Sequence, residues 1–132
     1  MPRVPRRPVF WLAALIAWFG TLWILSSNTH PGIPMPPIDG VDKVEHFGYF
    51  FGGAGLLSAY LYGRQPVSPQ WRFIIPCVVI AMALVGWLDE YHQGFVPGRS
   101  GNDPLDWIAD VTGATCGAFL FKRIHRRLKW DS

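Results

Sequence analysis

Residues 89–117 read D-E-Y-H-Q-G-F-V-P-G-R-S-G-N-D-P-L-D-W-I-A-D-V-T-G-A-T-C-G. The stretch joins two strongly apolar segments, yet it holds five of the nine carboxylates (Asp89, Glu90, Asp103, Asp106 and Asp110), with His92 and Arg99 among them. Charge is costly to remove from water unless it is paired, so acids set against hydrophobic helices need a cause. Asp106 and Asp110 are four apart, as are Gly113 and Gly117; on one helix this spacing is expected to put the acids on one face and the glycines on another. The acid face is expected to belong to a polar site at the outer surface of a membrane bundle.

Outward from this stretch the chain is apolar. Half of its 132 residues are hydrophobic, 16% are charged, and seven Trp, nine Phe and four Tyr make a heavy aromatic load. That profile leans towards a membrane protein of one domain, residues 1–132. The basic residues gather in short flanking clusters instead of alternating with aromatics along a stripe, which argues against nucleic acid as a partner. Cys77 and Cys116 fall inside apolar runs, where a thiol behaves as a small hydrophobe, so no disulfide framework is expected.

Val9 to Ser26 is an uncharged run of eighteen residues behind Arg3, Arg6 and Arg7. At ~1.5 Å per residue it is long enough to cross a ~30 Å hydrocarbon layer. A cleaved signal peptide shares the basic start and apolar run, but the length, the tryptophans and the lack of a small-x-small cleavage site favour an uncleaved anchor. Further helices are expected over about 43–62, 72–91 and 105–124, after a first over 9–27, with a proline- and glycine-rich loop over 28–42. Gly48, Gly52, Gly55 and Ala59 should form a smooth strip for close helix contact. Pro76 falls near the start of the third helix, where proline is cheap, and Pro104 just before the fourth.

The fold class expected is therefore all-α, a four-helix transmembrane bundle. Ten of the twelve Lys and Arg residues lie before the first helix, in the 63–72 turn or in the tail. The positive-inside rule then puts the N- and C-termini of a multi-pass protein in the cytoplasm. Eight of the nine acids, all but Asp131, fall on the other side.

Three pieces of chain converge there: the start of the second helix (Asp42, Lys43, Glu45, His46), the end of the third (Asp89, Glu90, His92, Gln93) and the start of the fourth (Asp106, Asp110). Asp42 and His46 can share a helix face, as can Glu90 and Gln93. Neighbours on a helix point ~100° apart, so only one of Asp89 and Glu90 is expected to face the bundle, and the Gln93 spacing selects Glu90. Asp42, Lys43 and Asp103 should reach interfacial water. Asp110 lies one turn deeper than Asp106; a central Asp costs on the order of 3 kcal/mol in a bilayer, so it needs a partner, with Arg99, His46 or Gln93 as candidates. The G-F-V-P-G-R-S-G loop would hold Arg99 over the helix ends.

The motifs D-K-V-E-H-F at 42–47, D-E-Y-H-Q-G-F-V-P-G-R at 89–99 and D-W-I-A-D-V-T-G-A-T-C-G at 106–117 resemble the VanZ-like family of small bacterial membrane proteins, over about three-quarters of the chain. The resemblance implies a compact multi-helix, multi-pass protein of the bacterial plasma (inner) membrane, from a family whose founding member is linked to teicoplanin resistance, with no established catalysis. Relatives carry Asn or Asp at the position of Asp110. It also implies a shared polar site of His46, Glu90, Gln93, Arg99, Asp106 and Asp110.

Several functions fit these residues. Binding a membrane lipid or lipophilic amphiphile would have Arg99 on its anionic part and His46, Glu90 and Gln93 orienting it, while Asp106 and Asp110 hold Arg99. An enzyme acting on a lipid or cell-wall precursor would use His46 and Glu90 as its proton-transfer pair. A structural protein would dock on partners through its glycine-rich helix faces. No cofactor is expected, and no metal site either, because tight ligand spacing such as H-E-x-x-H is missing.

Overall fold

The computed structural model of the chain describes residues 3–27, 41–65, 67–97 and 103–130, with side chains in the second stretch from Lys43 onward. Among them lie four helices, α1 (Pro8–Ser27), α2 (Val41–Arg64), α3 (Trp71–Gln93) and α4 (Pro104–Ile124), followed by a 3-10 turn at His125–Arg127. Much of the expected 28–42 loop lies outside the described residues, as does Arg99 with most of its loop.

Local chemistry sets several helix boundaries. Asp103 caps α4, its carboxylate accepting from the Leu105 N–H at 2.9 Å, and Pro104 takes the first helical position, where no donor is lost. α3 begins at Trp71, with the N–H groups of Phe73 and Ile74 donating to the Gln70 carbonyl, so Pro76 sits inside the helix and not in its opening turn.

The seam between α2 and α4 is the closest in the bundle. A Cβ on Gly113 would collide with the carbonyl oxygen of Phe47, and one on Gly117 with that of Phe51, both inside the 3.0 Å that real Cβ atoms keep. The contacts climb in the same direction on both helices, so α2 and α4 run parallel. Small side chains continue the seam, with Ala54, Ala114 and Ala118 fully buried beside Phe50, Val78 and Met82. Close approach of backbones through small residues is how helices gain packing energy where no hydrophobic driving force separates protein from lipid.

Two expectations about faces are corrected here. Asp106, Asp110, Gly113 and Gly117 are all buried and form one stripe of α4, not two faces. The spacing of four, three and four returns each residue to within ~60° of its neighbour in the stripe. On α2, Gly48, Gly52 and Gly55 would have open space around a Cβ, so of the expected strip only Ala59, 1% exposed, lies buried within the bundle. Gly53 takes that role, pressed against the indole of Trp18 in α1. Trp18 and Tyr49 also exchange hydrogen bonds to each other's carbonyls, at 3.1 and 2.7 Å.

Of the described helices, α1 and α3 are long and apolar enough to cross a membrane. Neither is mostly buried within the bundle. Only Leu22 and Ser26 of α1 are buried, while Val9, Ile16 and Ile24 are each more than 60% exposed. Both ends of the chain meet at one end of the bundle, where the Val4 N–H donates to the Lys129 carbonyl at 2.7 Å. The acids of the three converging segments occupy the opposite end.

Candidate functional site

At the acid end, α2 presents Lys43 and His46 to α4. Lys43 Nζ lies between Asp103 Oδ2 at 2.9 Å and Asp106 Oδ1 at 2.5 Å. His46 Nδ1 is 2.8 Å from Asp110 Oδ1, and its Nε2 is 3.5 Å from Asp106 Oδ2. With Asp110 ionised, the carboxylate can only accept, and Nδ1–H is then the donor to it. This dyad depends on the glycine stripe one turn further on, because only backbones this close bring a ring on α2 within hydrogen-bond reach of a fully buried aspartate on α4. On its other side Asp110 rests against Gly86 of α3, where a Cβ would sit 2.8 Å from Oδ2.

From α3, Glu90 turns towards α4, and its Oε2 accepts from the Asp103 backbone N–H at 3.2 Å. Asp89 turns the other way, towards α1, where it accepts from the Ser26 hydroxyl and from Gln93 Nε2, the latter at 2.9 Å. Both acids are buried, at 2% and 4% exposure, which corrects the expectation that only one would face the bundle. The physical reason is that α3 has protein on two sides, so two directions ~100° apart both lead inward. Gln93 accordingly keeps with Asp89, four residues before it, and not with Glu90.

Of the expected site residues, the structure brings together His46, Glu90, Asp106 and Asp110. Gln93 stands on the α1 side of the cluster, and Arg99 is outside the described residues. The partner of Asp110 is His46, one of its three candidates. Lys43, set aside as an interfacial charge, supplies a cation to Asp106, and its short distance to the fourth helix had no signal in spacing along the chain. Asp89 and Ser26 were also missed; the i, i+4 relation of Asp89 to Gln93 was the available clue. His92 stays apart, its ring stacked on Trp23 at 3.8 Å with Ser27 Oγ 3.5 Å away.

A cavity of about 250 Å³ opens between α3 and α4 at this end. Trp87, Pro104 and Trp107 give it apolar walls, and Glu90 and Asp103 add carboxylates. The Trp107 indole is held by donation to the Ala83 carbonyl at 2.9 Å. Asp103, outside the helices, has its carboxyl held below the ordinary value of 3.8, first by the hydrogen bond from Lys43 and then by the Leu105 N–H.

Together these features define a small all-α bundle with two membrane-capable helices and a buried polar cluster at one end. The chain belongs to the VanZ/LLP1 family, whose model matches residues 9–125 and so includes α1 as well as the three motif-bearing helices. No curated protein and no solved structure matches it.

Proposed function

We propose that this chain is a multi-pass protein of the bacterial inner membrane that binds a lipophilic amphiphile in the groove between α3 and α4. The observation that carries this reading is the cavity itself, two indole walls beside a buried carboxylate, which suits a molecule that is apolar along its length and polar at one end. Its apolar outer surfaces and segregated charge support four spans with both termini in the cytoplasm and the acid end facing outward. With Glu90 and Asp103 in the groove, the part of the ligand lodged there is a hydrogen-bond donor such as a hydroxyl, amide or ammonium. Its anionic part falls to Arg99. Through the family, the consequence is altered susceptibility to teicoplanin-type, lipid-bearing glycopeptides.

The test is to purify the full chain in native-lipid nanodiscs and identify by mass spectrometry what stays bound. A discrete amphiphile retained by wild type and lost in Trp107→Ala and Glu90→Gln is the expected result. Retention of bulk lipid alone, by wild type and variants equally, would overturn it.

The His46–Asp110 dyad favours one second reading, proton transfer by His46 and Glu90 on a lipid or cell-wall precursor. Product formation lost in His46→Ala would separate an enzyme from a binding protein.

A further inference from the structure

Among the described residues, four carboxylates at the acid end are buried: Asp89, Glu90, Asp106 and Asp110, none more than 7% exposed. Lys43 stands between Asp103 and Asp106, and His46 beside Asp106 and Asp110. Two carboxylate oxygens, Glu90 Oε1 and Asp110 Oδ2, are buried with no hydrogen-bond partner. Orphaned acceptors of this kind are rare in folded proteins and call for a donor or a cation. A ring nitrogen of His46 and one oxygen each of Asp89 and Glu90 lie within 4.8 Å of one another. We infer that His46, Asp89 and Glu90 form a binding site for a divalent transition-metal ion, with Asp110 orienting the His46 ring.

Coordination chemistry fits this set. Metal–nitrogen and metal–oxygen bonds of about 2.0–2.2 Å put the ligand atoms of a tetrahedral ion about 3.4 Å apart, so the three side chains close in by up to roughly 1.4 Å when the ion binds. A ligating histidine ordinarily donates its other N–H to a carboxylate, which is the relation of Nδ1 to Asp110 and leaves Nε2 for the ion. One imidazole with two carboxylates selects Zn²⁺, Mn²⁺ or Fe²⁺ over Mg²⁺ and Ca²⁺, which prefer oxygen alone. Three protein ligands also leave a coordination position open, and Glu90 puts the ion at the wall of the α3–α4 cavity. The ligands come from two helices more than forty residues apart in sequence, which is why no short motif announces them. The site stands on these side chains whether or not an amphiphile occupies the groove.

The full chain in nanodiscs, stripped with chelator, is dialysed against Zn²⁺ with Mg²⁺ in excess and its metal measured by mass spectrometry. About one Zn²⁺ per chain is expected. Glu90→Gln and His46→Gln should fall to the level of empty nanodiscs, Asp110→Asn should weaken binding roughly 10–100-fold, and Glu45→Gln, which removes an exposed acid at the same end, should bind as wild type. No Zn²⁺ above empty nanodiscs in wild type, or equal retention by Glu90→Gln and His46→Gln, would overturn the inference. Should a variant fail to fold, the Co²⁺-loaded wild type decides: visible ligand-field bands of a nitrogen–oxygen site support it, and the spectrum of aqueous Co²⁺ refutes it.

Discussion

Each end of the bundle encloses a histidine, and the two are held by opposite means. His46, at the acid end, is gripped by carboxylates on α4. His125, at the basic end and 5% exposed, sits among rings, with Trp71 at 4.8 Å, Tyr62 at 4.9 Å and Phe121 at 6.2 Å between centroids. Its Nδ1 donates to the Lys122 carbonyl at 2.6 Å, and Trp130 closes over it by donating to the His125 carbonyl at 2.8 Å. The basic end thus packs aromatic rings around His125, whose Nδ1 and carbonyl are both paired within a few residues. At the acid end, among the described residues, two buried carboxylate oxygens, Glu90 Oε1 and Asp110 Oδ2, have no hydrogen-bond partner.

Breaking the seam that serves both ends should have the largest effect. In Gly113→Leu the new side chain meets the Phe47 backbone, which cannot swing aside as a flexible side chain would. The destabilisation expected is about 3 kcal/mol or more, read as loss of the folded, monodisperse protein in detergent. A variant that melts like wild type would show the seam to be looser than described.

Phe121→Ala separates the two ends. Phe121 is buried and touches Tyr62, Trp71 and Trp130 as well as His125. Its truncation should cost about 3–5 kcal/mol in thermal or denaturant unfolding. Ligand retention at the acid end should survive under conditions where the variant is folded; loss of both together would mean the ends are not independent.

The smallest effect belongs to Asp103. Its carboxyl is held below 3.8 by Lys43 and the Leu105 N–H, so the unfolded chain takes up a proton there before the folded one does. The stabilisation is complete above the ordinary value and drains away as pH falls through the lower folded value. The protection of amides at the start of α4, taken as exchange relative to the intrinsic rate at each pH, should fall in wild type as pH drops through that window. In Asp103→Asn the exchange should start faster and change less, and an unchanged pH profile would remove Asp103 from the account.

Some of this arrangement was legible in the chain. Apolar run length marks α1 and α3 as membrane-capable, and the segregation of acids from bases brings His46, Glu90, Asp106 and Asp110 towards one end. A deeply placed aspartate needed a partner, and His46 was among the few residues able to supply one. The misreadings share a cause. Leaving Asp89 to solvent, pairing Gln93 with Glu90, and giving Gly48 and Gly52 a helix contact each rest on neighbours along one helix.

Periodicity states which residues of a helix point the same way; it does not state what stands in that direction. By itself, the sequence determined the helical class, the polarity of the two ends and the kinds of side chain gathered at each, because these depend on composition and local spacing. Tertiary structure alone decided that α3 is covered on two sides, so that Asp89 and Glu90 are both buried. It also decided that glycines on α4, not those on α2, bring the parallel helices close enough for His46 to reach Asp110. Those outcomes depend on which backbones approach one another, and that is set by the packing of all four helices at once.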